Sequence, residues 1–254
     1  MVVLDKGNKD VDTFVVYGGT NIGKKRLINQ DAFAFGKQNE KTWIVVCDGL
    51  GGENAGEVAS KTAVDCVSAF MKEHLTSSLE HMEIKKTVIE SVERANEAVL
   101  KKASEDERFF GMSTTIVSLI FFGGLLHIAN VGDSRAYCIS NGIIEQLTKD
   151  HSVVQVLIDS GKITKREAKK HPSKNCLIKV LGLEPGVEPS YTCRQMSRED
   201  KILVCTDGLH DRVIKKEMVS VLEGFGLEES VNELINIALK HGGADNITAV
   251  LMGE

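Results

Sequence analysis

Two apolar runs that each end in Asp-Gly constrain this chain more than any other feature. The first, Trp43 to Cys47, continues into Asp48-Gly49-Leu50-Gly51-Gly52, and the second, Lys201 to Thr206, continues into Asp207-Gly208. Short apolar runs rich in β-branched residues predict buried strands, and a glycine lets the neighbouring backbone carbonyl approach a bound group closely. We therefore expect two buried strands that bring carboxylates to a common place.

The other predicted elements favour an α+β fold. Apolar runs joined by strong hairpin signals at Gly123-Gly124 and Asn141-Gly142 predict antiparallel sheet, and helical apolar spacing predicts helix pairs at 55–106 and 215–240. Helices and strands are segregated along the chain rather than alternating. We therefore predict two mostly antiparallel sheets with a helix pair on each outer face, which is a four-layer α-β-β-α sandwich.

Composition excludes several classes of protein. Hydrophobic residues make up 42% and charged residues 26% of the chain, as in ordinary soluble proteins, and the net charge of -5 does not favour a nucleic-acid surface. No apolar run approaches the roughly 20 residues that span a bilayer, and the start lacks the regions of a signal peptide. Six cysteines occur without a C-x-x-C pair, which indicates reduced thiols. We expect a cytoplasmic monomer with no nucleic-acid or membrane partner.

No repeat, linker or low-complexity tract divides the 254 residues, so we expect one domain, 1–254, with a flap-like insertion at about 148–195. Residues 1–12 are polar and are expected to be loosely attached. The insertion carries a basic cluster: Lys162, Lys165, Arg166, Lys169, Lys170, His171 and Lys174. Such a cluster is most simply a solvated helix and loop. The alternative is a flap whose cations attract an anionic substrate.

Two glycine-rich stretches match nucleotide-binding motifs only in part. Residues Gly18 to Lys25 nearly match G-x-x-x-x-G-K-[ST], but Lys25 has no hydroxyl for Mg²⁺, and the next run alternates like a strand where a helix is required. Residues 49–54 lack the third glycine of G-x-G-x-x-G, and Asp48 and Glu53 would repel a pyrophosphate. Both nucleotide sites are the weaker interpretations.

Five acidic residues stand beside turn residues at predicted strand ends: Asp31, Asp48, Asp133, Asp207 and Asp245. Each alone is typical of a turn, and Asp133 is predicted to lie in a hairpin turn. If the sheets converge, these carboxylates would repel one another strongly, so a convergent site would need bound cations. All-oxygen ligation favours Mg²⁺ or Mn²⁺ over zinc.

The sequence resembles the metal-dependent protein phosphatases, the type 2C serine/threonine phosphatases, from about Tyr17 to Met252. The resemblance rests on motifs in the family's order: Arg26-x-x-Asn29-Gln30-Asp31, Asp48-Gly-x-Gly-Gly, Gly111-x-Ser113-Thr114-Thr115, Val131-Gly-Asp133-Ser-Arg135, Asp207-Gly-Leu and Asp245-Asn246-x-Thr248. Any one motif is weak, but the ordered set at this chain length is specific. The motif in the form Asp-Gly-x-Gly-Gly resembles that of the family's bacterial members.

The resemblance implies a centre of two Mn²⁺ or Mg²⁺ ions. Asp48 would bridge the two ions, the Gly49 carbonyl would bind one of them, and Asp207 and Asp245 would complete the pair. A water or hydroxide between the ions would attack the phosphorus of phosphoserine or phosphothreonine directly, without a covalent intermediate.

Further roles are implied for the remaining motif residues. Asp31 would act through or beside a bound water, and Asp133 matches the acid of a possible third metal site. Arg26 would grip the substrate phosphate, because its planar fork suits phosphate oxygens. Residues 148–195 fall where the family carries a variable flap, and the implied partners are phosphorylated proteins, substrates of serine/threonine kinases.

The sequence departs from the family pattern near Asp48. Leu50 stands where animal members carry a histidine proposed as general acid, and Glu53 stands where bacterial members commonly carry one. Gln30 replaces a common glutamate. His210 is a tempting acid, but a structural histidine is favoured there.

The sequence favours hydrolysis at a metal centre over two other functions. A silent phosphoprotein-binding module on the same fold is the alternative, although such a module could have lost its acids. A cysteine-dependent phosphatase needs C-x5-R, whereas six residues separate Cys205 from Arg212.

Overall fold

The computed structural model describes residues 14–51 and 55–254. The predictions for residues 1–13 and for Glu53 lie outside these described residues. Within the described residues, every strand pairing is antiparallel. The first sheet has the spatial order β1 (Val15–Asn21), β11 (Ile247–Gly253), β10 (Lys201–Cys205), β7 (Arg135–Ser140) and β8 (Ile143–Gln146). The second has the order β2 (Asp31–Gln38), β3 (Lys41–Leu50), β5 (Ile116–Phe122), β6 (Leu125–Val131) and β9 (Ser190–Gln195), with β4 (Ser113–Thr114) paired to β3.

Helices cover the outer face of each sheet. The long helices are α1 (Gly56–His74) and α2 (His81–Ser104) on the second sheet, and α6 (Lys215–Gly224) and α7 (Leu227–Lys240) on the first. Shorter helices are α3 (Val153–Asp159), α4 (Lys165–Ala168) and α5 (Asp207–His210). The predicted four-layer α-β-β-α sandwich is confirmed. Within the described ranges, no helix has the length and apolar character needed to cross a membrane.

Strand β3 explains why its sequence is a continuous apolar run. Ile44 and Val46 point into the core between the two sheets, whereas Trp43, Val45 and Cys47 point into the core under α1 and α2. Because both faces of the strand are covered, neither set of side chains can be polar. The strand therefore carries Asp48 out of the most buried part of the molecule to its edge.

From the sequence, Gly18-Gly19 is predicted to end the first strand, but β1 continues through both glycines to Asn21. A Cβ at Gly18 would lie 2.5 Å from the Phe33 ring, and one at Gly19 would lie 3.0 Å from Ile235. These glycines therefore allow close packing of neighbouring elements. No helix lies between β1 and β2, so the nucleotide-loop interpretation of residues 18–25 is wrong.

The predicted hairpin at Asp133 is also wrong. Strands β6 and β7 belong to different sheets, so residues 132–134 form a crossover between the two sheets at the edge where Asp48 emerges. Gly132 adopts a φ of +98° in this crossover, a conformation that disfavours any side chain. A turn signal shows that the chain changes direction, and it does not show which sheet receives the next strand.

Candidate metal and phosphate site

Four carboxylates from separate parts of the chain line one cleft of about 180 Å³. They belong to Asp48, Asp133, Asp207 and Asp245. Arg26 lines the same cleft, together with Gln30, Gly49, Leu50, Gly51, Asn175 and Leu177. The structure thus brings together the acids that the sequence predicted to converge, and it adds two residues of the 148–195 segment at the rim.

The backbone of Asp48 is fixed by two threonines. The Thr114 hydroxyl and the Thr115 amide each donate to the Asp48 carbonyl at 2.9 Å, and the Asp48 amide donates to the Thr115 hydroxyl at 3.0 Å. The Thr115 hydroxyl also lies 2.7 Å from that of Ser134, beside Asp133. The Ser-Thr-Thr motif therefore holds two of the acids in register, a role that the sequence did not reveal.

The two Asp-Gly glycines lie at backbone crossings. A Cβ at Gly49 would lie 2.1 Å from the Gly56 carbonyl oxygen at the start of α1, and one at Gly208 would lie 1.9 Å from the Asn246 carbonyl oxygen. Any side chain at either position would push these segments apart. The glycines are therefore required by packing as well as by any close approach of a ligand.

The sequence predicts Asp207 at the end of a strand, but it lies in the next element of the fold. Strand β10 ends at Cys205, and Asp207 is the first residue of α5 rather than the end of a strand. Its side chain lines the same cleft as that of Asp48. The reversal into α5 directs the carboxylate across the edge of the sheet toward the second sheet.

Asp31 lies behind the cleft. It is the Cα partner of Asp48 in the β2–β3 ladder, and its Oδ2 accepts hydrogen bonds from Thr206 at 2.9 Å and Thr248 at 2.7 Å. Its buried Oδ1 has no hydrogen-bond partner among the described residues. The two hydroxyls orient Asp31 and leave one oxygen for a proton, a water or a cation.

Burial and mutual repulsion make this cluster unusually basic. Burial, opposed by the two threonine hydrogen bonds and helped by Asp207, raises the pKa of Asp31 to about 7. Burial and Asp207 likewise raise the pKa of Asp133 to about 7. Burial and Asp31 hold the pKa of Asp48 well above its usual range, and burial raises that of Asp207. The cluster therefore has a strong preference for added positive charge.

Arg26 supplies one such charge. Its Nε and Nη2 each lie 2.9 Å from an oxygen of Asp245, which makes a two-pronged contact. This hydrogen bond raises the pKa of Arg26. The Arg26 side chain remains 44% exposed, so its guanidinium is accessible from the mouth of the cleft.

Asn246 anchors the loop that carries Arg26. The sequence places this residue in a motif but does not predict this role. Its Nδ2 donates to the carbonyls of Ile22 at 2.9 Å and Ile28 at 3.0 Å, and its Oδ1 accepts from the Gln30 amide at 2.9 Å. Asn246 is buried. One side chain thus pins both ends of the loop that carries Arg26.

Replacing Asn246 with Ala is expected to lower the free energy of unfolding by about 2–4 kcal/mol, because three backbone groups, one in a buried and two in partly buried hydrogen bonds, lose their partner. Urea denaturation measures this change. The matched control is Asn232→Ala, since Asn232 is exposed on α7, and it should shift the free energy of unfolding by less than about 0.5 kcal/mol. Equal effects of the two substitutions would show that Asn246 does not anchor the loop.

His210 is a buried structural residue rather than a cleft residue. Its side chain is 3% exposed, and its Nδ1 lies 3.5 Å from Asp211. Its Nε2 lies 3.1 Å from the Asp133 carbonyl, to which it can donate. The histidine therefore ties α5 to the crossover that carries Asp133, as the structural interpretation of His210 expects.

The donors suit hard divalent ions. They are carboxylate and carbonyl oxygens, they include the unpartnered Asp31 Oδ1, and their raised pKa values show an excess of negative charge. As placed here, no three acidic, histidine or cysteine side chains within residues 14–51 and 55–254 already form a group that could hold a metal. The Asp245 carboxylate instead faces the Arg26 guanidinium.

Comparisons with known proteins agree with this architecture. Residues 18–252 match the family model described as Protein phosphatase 2C. The serine/threonine phosphatase stp of Listeria innocua is 37% identical over 235 residues, which are 92% of this chain and 93% of that protein. The solved structure of Stp1 from Staphylococcus aureus has a TM-score of 0.90 at 32% identity, covering 99% of both chains. The catalytic domain of PstP in complex with 2 manganese ions has a TM-score of 0.82 at 31% identity, covering 94% of this chain and 97% of that one.

These matches define the class as protein serine/threonine phosphatases. Within that class, the chain belongs to the protein phosphatase 2C family. The resemblance to bacterial metal-dependent phosphatases is confirmed by the named bacterial relatives and by their structures.

Proposed function

We propose that this chain hydrolyses phosphoserine and phosphothreonine in proteins at a centre of two Mn²⁺ or Mg²⁺ ions. The observation that carries the proposal is the convergence of four carboxylates, from four separate segments, on one cleft beside Arg26. The manganese-containing structure of PstP supports the choice of metal.

Each residue of the cleft has a proposed task. Asp48, Asp207 and Asp245, with the Gly49 carbonyl, would hold two ions, and Asp133 would contribute to a third. Two such ions, when bound, lower the pKa of a water between them and offset charge on the transferred phosphoryl group.

The groups beside these ligands have proposed tasks as well. Asp31, held by Thr206 and Thr248, would orient a water beside Asp48. Arg26 would exchange its contact with Asp245 for the phosphate oxygens of the substrate. Leu50 lines the cleft but has no proton to donate, and the Nε2 of His210 is engaged by Asp133. Neither residue serves as the general acid.

A rapid-quench experiment tests direct hydrolysis. With a ³²P-phosphothreonine peptide, free phosphate should appear as fast as the peptide loses its label, and acid-quenched protein should carry no label. Labelled protein formed within the first turnover would contradict attack by water and indicate a covalent intermediate. Tight peptide binding with no release of phosphate would favour the silent binding module.

The stability of the protein in chelator should fall as pH rises. The pKa values of Asp31 and Asp133 are raised to about 7 in the folded state, so their protonation stabilises the fold fully below about pH 4 and this contribution is lost through about pH 7. With EDTA, the Tm should drop by about 5 °C or more between about pH 5 and pH 8. Mn²⁺ should restore it mostly at the higher pH.

The matched control for this pH effect is Asp48→Asn, which removes one of the repelling carboxylates. In EDTA, this variant should show a smaller loss of Tm with rising pH than the parent protein. A Tm in EDTA that is constant or rises over this range would contradict the account of the cluster.

The exposed cations of the 148–195 segment are proposed to attract acidic substrates. Replacing Lys165, Arg166, Lys169 and Lys170 with Ser should raise KM for an acidic phosphopeptide about threefold or more at low salt, and should weaken its dependence on salt. Steady-state kinetics at several salt concentrations measure both. An unchanged KM and salt dependence would leave these residues as a solvated surface.

A further inference from the structure

The loop between β1 and β2 presents an exposed apolar and basic surface beside the cleft. Leu27 is 94% exposed, Ile28 54% and Ile22 39%, and Lys24 and Lys25 are also exposed. Neither lysine forms an ion pair with an acid in the described part of the chain. We call residues 22–28 the β1–β2 loop surface.

This surface is held in place rather than free to collapse onto the fold. The Lys24 amide donates to the Gly243 carbonyl at 2.7 Å, and the carbonyls of Ile22 and Ile28 both accept from Asn246. A Cβ at Gly23 would lie 2.1 Å from the Asp245 carbonyl oxygen, which shows how closely the loop lies on the metal-site backbone. A loop whose backbone is already anchored loses little further backbone freedom when a partner binds to it.

The position of the loop relates this surface to the reaction. Arg26 lies between Lys25 and Leu27 and lines the carboxylate cleft. If Arg26 grips the phosphate as proposed above, the residues next to the phosphorylated one would lie over Lys24, Lys25, Leu27 and Ile28. Lysines without acidic partners on a chain of net charge -5 complement acidic side chains, and Leu27 with Ile28 complements an apolar one.

We propose that the β1–β2 loop surface docks the substrate segment next to the phosphorylated residue and selects segments with acidic and apolar side chains. The inference rests on the proposed phosphatase function. It adds a specificity surface beside the metal centre.

The test compares two substrates. One is a phosphothreonine peptide with Glu and Leu beside the phosphorylated residue, and the other is p-nitrophenyl phosphate, which cannot reach beyond Arg26. The variants Leu27→Ser and Lys24→Ser/Lys25→Ser should each raise KM for the peptide about fivefold or more with little change in kcat, because uniform binding is lost. Hydrolysis of p-nitrophenyl phosphate should change less than about twofold.

Matched controls lie on the first turns of α2, away from the carboxylate edge. Met82 is 90% exposed and Lys86 is exposed. Helix α2 follows Leu75, whose carbonyl accepts a hydrogen bond from Asn39 in the β2–β3 turn. This turn lies at the opposite end of the two strands from Asp31 and Asp48. Met82→Ser and Lys86→Ser should leave KM for the peptide unchanged. An equal increase in KM in these controls would contradict a local docking surface.

Other outcomes overturn the proposal. Equal losses on both substrates would mean that the loop only positions Arg26, and no loss on either would mean that the surface is idle. A concentration-dependent dimer that Leu27→Ser abolishes in sedimentation would assign the surface to a second copy of the chain. Parent protein inactive on both substrates would defeat the proposed function, and the docking surface with it.

Discussion

Replacing Asp48 with Asn is expected to lower kcat for a phosphothreonine peptide by at least about 10³-fold. Asp48 is proposed to hold the metal ions, since its side chain lines the same cleft as Asp207 and Asp245 and the residue pairs with Asp31 in the β2–β3 ladder. An amide keeps the shape of the side chain but removes its charge. Steady-state kinetics at saturating Mn²⁺ measure the loss.

The fold should survive this substitution. In chelator, the Asp48→Asn variant should have a higher Tm than the parent protein, because one buried charge that repels its neighbours is gone. The matched control is Asp65→Asn on α1, whose ion pair with Lys61 is exposed, and which should leave kcat unchanged. If Asp48→Asn were as active as the parent protein, the proposed role of Asp48 as a metal ligand would be wrong.

Replacing Arg26 with Ala is expected to lower kcat/KM for the same peptide about 10²-fold. Its exposed guanidinium lines the cleft and already binds the Asp245 carboxylate in a bidentate manner. A phosphate group could be bound in the same bidentate manner. Arg26→Lys should recover only part of the loss, because lysine keeps the charge but not the planar fork.

Metal binding separates this role from a structural one. Calorimetry should show that Arg26→Ala binds Mn²⁺ at least as tightly as the parent protein, since Asp245 loses a competing partner. Arg94→Ala, which removes an exposed ion pair with Glu90 on α2, should change neither kcat/KM nor Mn²⁺ affinity. If Arg26→Ala weakens Mn²⁺ binding and kcat/KM in parallel, Arg26 supports the metal site rather than the phosphate.

Most of the fold was predictable because its patterns are local. The run from Trp43 to Cys47 is apolar throughout because both faces of β3 are covered, and that requirement is visible in five consecutive residues. The four long helices each bury one apolar face, and the hairpin signals at Gly123-Gly124 and Asn141-Gly142 correspond to turns that stay within one sheet.

The errors arose where the deciding contact is distant in sequence. Gly18 continues β1 because the Phe33 ring of the next strand occupies the space of a side chain. The turn at Asp133 crosses between sheets, which no local signal encodes. The backbone of Asn246 likewise lies against Gly208 in the first turn of α5, and this contact joins parts of the chain that are distant in sequence.

The acids of the cleft could be predicted, but the residues that hold them could not. Strand-end acids are visible in the sequence, and the resemblance places them in order. The bonds of Asn246 to the Arg26 loop span more than 200 residues of sequence, with separations of 216, 218 and 224. No local pattern in the sequence shows that the threonines around Asp31 and Asp48 form hydrogen bonds with these two acids. Those hydrogen bonds become visible only in the folded structure.

The central claim is that this cleft hydrolyses phosphothreonine with bound divalent ions. The most direct measurement is release of phosphate from a phosphothreonine peptide by the purified protein, first with EDTA and then with excess Mn²⁺. The account predicts no turnover in chelator and full turnover once Mn²⁺ is added. Turnover that persists in EDTA, or inactivity despite Mn²⁺ shown by calorimetry to bind, would contradict it.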